Sequence, residues 1–247
     1  MRNRICAAIA GAALMAAALP VAAQEAPALA KSQQDAPVLG LFTTLPILWG
    51  EAASLEEVLQ GSAEQHWARD VMAEGRDLRP LDFLAPEYLD GVDLLLMAQP
   101  RGLAASENVA LDDWVTAGGH VLLFADPMLT AHSRFGLGDR RRPQDVALLS
   151  PILGRWGLEL MFDPDAPLDG VTLEDGDLSV PVALPGRFRE TGDGTGQCSI
   201  SHDGALARCV IGEGKATILA DAALLDLHEP MAGSREALDW LLAESRN

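Results

Sequence analysis

DLLLMAQPRGLAASENVALDDWVTAGGHVLLFADP, residues Asp93 to Pro127, reads as strand, proline-bearing turn, helix, double glycine, strand and acidic turn. Leu94 to Ala98 and Val121 to Ala125 are unbroken apolar runs of strand length, the pattern of parallel strands covered on both faces. Between them Ser106 is placed to cap a helix from Glu107 to Ala117 that puts Leu111, Trp114 and Val115 on one face. Gly118 suits the left-handed residue that ends it. This is one βαβ crossover, and it predicts a parallel sheet. Ligands on such sheets gather beyond the carboxyl ends of the strands. That places Gln99, Pro100 and Arg101, then Asp126 and Pro127, on the candidate functional rim.

Outward from this stretch, strand and helix patterns keep alternating. Val38 to Phe42 reads as a strand, Leu55 to Met72 as a helix with Leu55, Val58, Leu59 and Trp67 inward, and Arg79 to Leu84 as a short strand. Ser150-Pro151 is an N-cap and first turn, followed by Ile152, Leu153 and Trp156 on one helical face and Gly157 as the stop. A strand follows at Leu158 to Phe162. Over 163–211 proline, glycine and aspartate separate short strands at Val171 to Leu173 and Leu178 to Leu184 and then a hairpin, which predicts a β-rich insertion. Ala216 to Ala220 returns to a buried strand ending at Asp221, and Ser234 opens a last helix with Leu238, Leu241 and Leu242 inward. The expected fold is α/β: a single domain over 37–247 with an open, mainly parallel sheet flanked by helices, of the flavodoxin-like kind.

The first 23 residues read as a targeting segment. Arg2 and Arg4 form a basic start, Ile5 to Leu19 is an alanine-rich apolar stretch, and Val21-Ala22-Ala23 is a small-residue cleavage pattern before Gln24. Cys6 lacks the small-residue run that would precede a lipidation site. Gln24 to Ala36 is polar and without period, the composition of a disordered linker. No later stretch reaches the roughly 18 apolar residues of a membrane helix, so the expectation is a periplasmic protein with no direct membrane insertion after cleavage. The formal charge of −18 repels nucleic acid and anionic lipid and argues against both as partners.

Beyond the targeting segment the cysteines are Cys198 and Cys209, in the run CSISHDGALARC. Asp203-Gly204 at its centre is a two-residue hairpin signal. If 202 faces 205, then 198 faces 209, and the two sulfurs lie on directly opposed residues, as a disulfide requires. A catalytic thiol is disfavoured, because His202 then belongs to the turn and no orienting partner for it is evident in the sequence.

Other chemistry is faint. Enzymes of this architecture hold a nucleophile on a strained turn just after a central strand. Here that place offers Gln99 and Pro100, neither a nucleophile, and proline's fixed φ argues against a positive-φ elbow. Asp126, His132, Asp139, Asp145, Asp221, His228 and Glu229 lie near strand ends, but their spacing fits no zinc or calcium motif, and capped turns and solvated carboxylates are the bland alternative. Gly212-Glu213-Gly214-Lys215 has the wrong spacing for a phosphate loop and is a turn. No cofactor or metal is expected.

Two loops stand out. Thr43 to Glu51, TTLPILWGE, is too apolar for a plain surface loop and folds over the strand ends, either as a pocket wall carrying Trp49 and Glu51 or as a plug. Thr130 to Gln144 gathers Arg134, Arg140, Arg141 and Arg142 in an otherwise acidic chain. These either meet an acidic partner or ligand group, or pair internally with Asp139, Asp145 and other carboxylates.

The pattern of Asp93 to Pro127, then Leu149-Ser150-Pro151-Ile152-Leu153 with Trp156-Gly157-Leu158, then Gly214-Lys215-Ala216 with Leu219-Ala220-Asp221, resembles the extracytoplasmic domain of gliding-motility and ABC-transporter auxiliary proteins. The resemblance covers most of Val38 to Leu242. It implies a fold similar to class I glutamine amidotransferases and a place beside the membrane components of an ABC-type transporter, without chemistry of its own. The expected function is therefore a non-catalytic periplasmic binding or accessory protein whose ligand- or partner-binding residues are Trp49, Glu51, Arg101, Asp126, Arg134, Arg140, Arg141, Arg142 and Asp221. The alternatives are a periplasmic hydrolase with a pocket at the strand ends, where Glu51, Asp126 and His132 would converge, and a structural envelope protein.

Overall fold

Short strands, apolar at the centre and more polar at the two edges, form the central sheet in the computed structural model, which describes residues 36–51, 56, 65–166, 170–175, 178–226 and 229–246. Those strands are β1 (Val38–Thr43), β2 (Asp77–Pro80), β3 (Leu94–Ala98), β4 (His120–Phe124), β9 (Gln197–Ser201), β10 (Leu206–Ile211) and β11 (Gly214–Leu219). Their order across the sheet is β2-β1-β3-β4-β11-β10-β9. The first five run parallel, and β10 and β9 extend them as an antiparallel edge. Two antiparallel pairs stand outside this sheet: β5 (Leu158–Met161) with β8 (Arg187–Glu190), and β6 (Val171–Asp175) with β7 (Leu178–Val182).

Helices cover both faces, which is why the strands read as continuous apolar runs rather than alternating ones. On one face Leu94, Leu96, Leu122 and Phe124 lie under α1 (Trp67–Ala73) and α6 (Ser234–Arg246), through Ala68, Met72, Leu238 and Leu241. On the other, Leu95, Met97, Val121 and Leu123 lie under α3 (Ala105–Thr116) and α4 (Ser150–Trp156), through Leu111, Val115, Ile152 and Trp156. Each such buried Val, Leu, Ile, Phe or Met side chain stabilises the fold by about 1.5–3 kcal/mol relative to exposure. Two short helices complete the chain: α2 (Pro86–Leu89) before β3, and α5 (Ala223–Asp226) after β11.

The crossover forms as expected, with differences at its ends. Helix α3 starts at Ala105, so Ser106 lies inside its first turn, and the cap is supplied by Glu107, whose Oε2 accepts from Ala104 N at 2.8 Å. Ser150 likewise falls inside α4 and caps nothing. Gly118 takes a φ of 112°, and a Cβ on Gly119 would sit 2.5 Å from the Trp114 ring, so each glycine of the pair has its own steric reason. That ring is only partly buried, whereas Leu111 and Val115 are fully buried.

Three further expectations are revised. Gln65 and His66 are not helical, and the His66 ring accepts from Ala68 N to cap α1, so one continuous helix over 55–72 does not form; much of that span lies outside the described residues. Strand β2 ends at Pro80 rather than at Leu84, one residue before Leu81 N makes a last bond to Leu41 O at 2.8 Å. The β-rich span 163–211 is divided: β6, β7 and β8 pair outside the central sheet, while β9 and β10 are its antiparallel edge.

Candidate functional site

The carboxyl ends of β1, β3, β4 and β11 meet at one rim, and at three of them a residue one or two positions past the strand is polar and buried. After β3, Gln99 is 0% exposed with φ of 41°, the left-handed region that costs a non-glycine residue on the order of 1 kcal/mol. Pro100 fixes only its own φ, so the sharp turn that it was expected to forbid is made one residue earlier. Gln99 is held there on every side. Its Nε2 donates to Asp126 O at 3.0 Å and to Gln144 O at 2.8 Å, and its Oε1 accepts from Asp126 N at 2.8 Å. Its own N–H donates to Phe124 O at 2.9 Å, and its carbonyl accepts from Thr44 Oγ1. One neutral amide therefore ties the ends of β3 and β4 to the loop that returns at Gln144.

Asp126 and Asp221, past β4 and β11, are also 0% exposed. Asp126 Oδ1 accepts from Met128 N at 2.7 Å and Oδ2 from Ala222 N at 3.3 Å. Asp221 Oδ1 accepts from Ala223 N at 2.7 Å and Oδ2 from Ala183 N at 2.9 Å. Burial pushes Asp126 up to about 6; its two N–H donors oppose this, and the Asp226 carboxylate adds to it. Burial also pushes Asp221 well up, reinforced by the Asp126 carboxylate. Both aspartates thus occupy the expected rim, but each closes loops over itself and presents no oxygen to solvent.

The rim is open beside β1 and β2. A cleft of about 320 Å³ is lined there by residues including Thr43, Trp49, Glu51, Asp82, Phe135 and Arg141. The apolar loop after β1 does two things. Leu45 and Ile47 are buried in the core below, while the Trp49 indole is left 64% exposed at the mouth. Thr43 Oγ1 donates to Ala98 O and accepts from Leu45 N, and Thr44 Oγ1 accepts from Gln144 N, so both hydroxyls are engaged within the protein.

The arginine loop folds against this cleft mostly through internal pairs. Arg134 donates to Glu51 twice, from its N–H to Oε2 and from Nη1 to the carbonyl, both at 2.8 Å. Arg141 lies over the Phe135 ring at 4.1 Å and pairs with Asp139 at 2.7 Å, which holds that carboxyl down at about 2. Arg142 pairs with Asp145 and donates to Phe135 O. Arg140 is exposed and has no ion pair among the described residues.

Arg101 is a structural pin rather than a free rim cation. Its guanidinium makes two 2.8 Å bonds to Glu107, donates to Asp82 O and lies 5.0 Å from the Phe42 ring centre. Glu107 is 1% exposed. Burial alone would raise it, but Arg101 and the N–H groups of Ala104 and Leu84 outweigh that and hold the carboxyl below its ordinary value.

Glu51, Asp126 and His132 do not converge: Glu51 lines the cleft, Asp126 is sealed, and His132 lines a second hollow of about 380 Å³ with Thr130, Asp226 and Met231. His228 lies outside the described residues. Among the described residues no group of three or more His, Cys, Asp or Glu is arranged to hold a metal ion. Gly212 and Glu213 form the turn between β10 and β11, with Gly212 at φ 60°.

Cys198 and Cys209 are directly opposed on β9 and β10 and are joined as a disulfide. The register is the expected one, although the connection takes four residues, with Ser201 facing Leu206. His202 does find partners that its sequence context did not reveal: Ser201 Oγ at 2.9 Å and Glu174 O at 2.7 Å.

No family model and no curated protein matches the chain in sequence. Among solved structures, its fold is similar to the beta-galactosidase from Rahnella sp. R3, at 11% identity over 85% of this chain and 31% of that one, with a TM-score of 0.47. It is also similar to an exo-beta-1,4-mannosidase from Opitutaceae bacterium strain TAV5, at 13% identity over 87% and 37%, TM-score 0.48. A cytoplasmic protein of Salmonella typhimurium is similar at 11% identity over 72% and 85%, TM-score 0.44. The chain spans about a third of the length of the two glycosidases.

Proposed function

We propose that the protein is an exported, non-catalytic binding or accessory component that works in the periplasm beside the membrane subunits of an ABC-type transporter, on a flavodoxin-like, amidotransferase-related sheet. The observation that carries the non-catalytic reading is Gln99. It stands in the left-handed turn after β3, where enzymes of this architecture hold a nucleophile, and both ends of its amide are engaged in buried hydrogen bonds. The parallel order β2-β1-β3-β4-β11 supports the flavodoxin-like assignment. Export is supported by the leader-like first 23 residues, by the Cys198–Cys209 bridge, which belongs to oxidising compartments, and by the absence, among the described residues, of a helix long and apolar enough to cross a membrane. The association with a transporter rests on the sequence resemblance.

Two measurements test this. The protein recovered from cells should begin at or near Gln24 and should co-purify from mildly solubilised envelope with an ABC permease or ATPase subunit. Fluorophosphonate and iodoacetamide probes should leave the folded protein unlabelled. Stoichiometric labelling of a serine or cysteine whose replacement abolishes function in a folded variant would replace this reading with a hydrolase.

A further inference from the structure

We infer that the cleft beside β1 and β2 binds a neutral polyhydroxylated ring, the pyranose unit of a saccharide, seated on the Trp49 indole. The inference rests on the binding-module reading above and gives it a ligand class.

The cleft's open groups have mixed sign. Glu51 is fixed by the two bonds from Arg134, which leave its Oε1 available as an acceptor. Arg141 is fixed by its stack on Phe135 and its bonds to Asp139 through Nε and Nη2, which leave Nη1 available as a donor. The exposed Asp82 carboxylate lines the third side. A cation would have to face Arg141, and an anion would have to face Glu51 and Asp82.

A zwitterion meets a different objection. Arg141 is 59% exposed at its side chain, and such solvated charges add little to an ionic contact in salt. A hydroxylated ring avoids these conflicts. Its hydroxyls both donate and accept, it carries no charge to desolvate, and its C–H face is apolar. The exposed indole offers the matching apolar platform, with a large contact area and few rotatable bonds. A volume of about 320 Å³ is within the range of small-ligand sites. Because the donor and acceptor are already held, little ordering remains to oppose binding. The hydroxyls of Thr43 and Thr44 are engaged within the protein, which leaves Glu51, Asp82 and Arg141 as the polar groups that meet the ring.

The test uses the full mature chain on a glycan array, with calorimetry on the glycans retained and with spermidine, citrate and leucyl-glycine as cationic, anionic and zwitterionic probes. Trp49 is the one exposed tryptophan of the chain's five, so occupancy should shift indole emission to the blue. The expected result is binding of at least one neutral glycan, weakened tenfold or more in Trp49→Ala and severalfold in Asp82→Asn, both variants melting with the wild type. Retention of no glycan overturns the inference. So does Trp49-dependent binding of a charged probe alone. Transporter subunits that still co-purify in either case leave the accessory reading standing. A bound glycan that is also cleaved would keep the ligand class and overturn the non-catalytic reading instead.

Discussion

The rim of the sheet has a sealed end and an open end, made from similar residue types. At the sealed end Gln99, Asp126 and Asp221 follow three neighbouring strands, and each takes up main-chain groups of the loops that pass over it. At the open end Glu51 and Arg141 pair with residues of nearby loops, and the Trp49 indole is left in water. Polar residues at strand ends therefore do not by themselves mark a site. What separates the two ends is burial: the polar side chains are sealed under loops in one case and left in contact with solvent in the other. Substitutions at the sealed end should register as stability, and substitutions at the open end as binding.

The largest effect is expected for Gln99→Ala. It leaves Asp126 N and Gln144 O without a partner under the loop and opens a small cavity, so unfolding free energy should fall by about 3 kcal/mol. Urea unfolding with an unchanged m value measures this. A loss below about 1 kcal/mol would mean that water replaces the amide and that the sealed end is not sealed.

Asp126 gives the next effect, one that depends on pH. The unfolded carboxyl releases its proton near 3.8, whereas the folded one keeps it to about 6. Below 3.8 both states are protonated and this contribution is at its maximum. Between the two values the unfolded state binds fewer protons, so stability falls as pH rises, by about 3 kcal/mol in all once pH passes 6. Asp221, raised in the same direction, adds to the fall. Subtracting the Asp126→Asn stability curve from the wild-type curve isolates the share due to Asp126. The difference should have this sign, and Asp126→Asn should be within about 1 kcal/mol of wild type at pH 7, since it removes a buried charge along with one long hydrogen bond. A flat difference curve would break the distinction between the two ends.

The parts of the molecule that could be read from the chain are those whose signal is local. Leu94 to Ala98 and Val121 to Ala125 announce buried parallel strands because both faces need apolar cover, and Asp203-Gly204 gives the register that pairs Cys198 with Cys209. The expectations that needed correcting depend on contacts distant in sequence. Glu107 displaces Ser106 as the cap because Arg101 and Leu84 also need its oxygens. Gln99 reads as an absent nucleophile, and only the return of the loop at Gln144 explains why a glutamine stands there. Trp49, Glu51 and Arg141 were legible as unusual loop residues, yet their meeting in one cleft is set by the Arg134–Glu51 bonds, which span 83 residues. His132 had no signal separating it from that cleft.

The Cys198–Cys209 bridge lies on the β9–β10 edge and serves as a control for both ends. Its closed loop is short and already local, so replacing both cysteines with alanine should cost about 2 kcal/mol. Melting temperature should fall while ligand affinity, measured well below the transition, stays the same. Affinity that falls with the bridge would mean that the open end responds to global stability and is not an independent surface. Labelling of denatured, unreduced protein should find neither thiol free.

Trp49→Ala should have the smallest effect on stability. The side chain is 64% exposed, and the core below it is already filled by Leu45 and Ile47, so the change should stay within about 0.5 kcal/mol by urea unfolding. The wild-type emission should lose its solvent-exposed, red-edge component in the variant, because Trp67 and Trp156 are buried and Trp114 and Trp240 partly so. An unchanged folded state combined with a tenfold or greater loss of ligand affinity is the pattern that defines the open end. A destabilisation of 2 kcal/mol or more would instead make Trp49 part of the plug formed by Leu45 and Ile47. The loop after β1 would then close the rim there too, and the difference between the two ends would vanish.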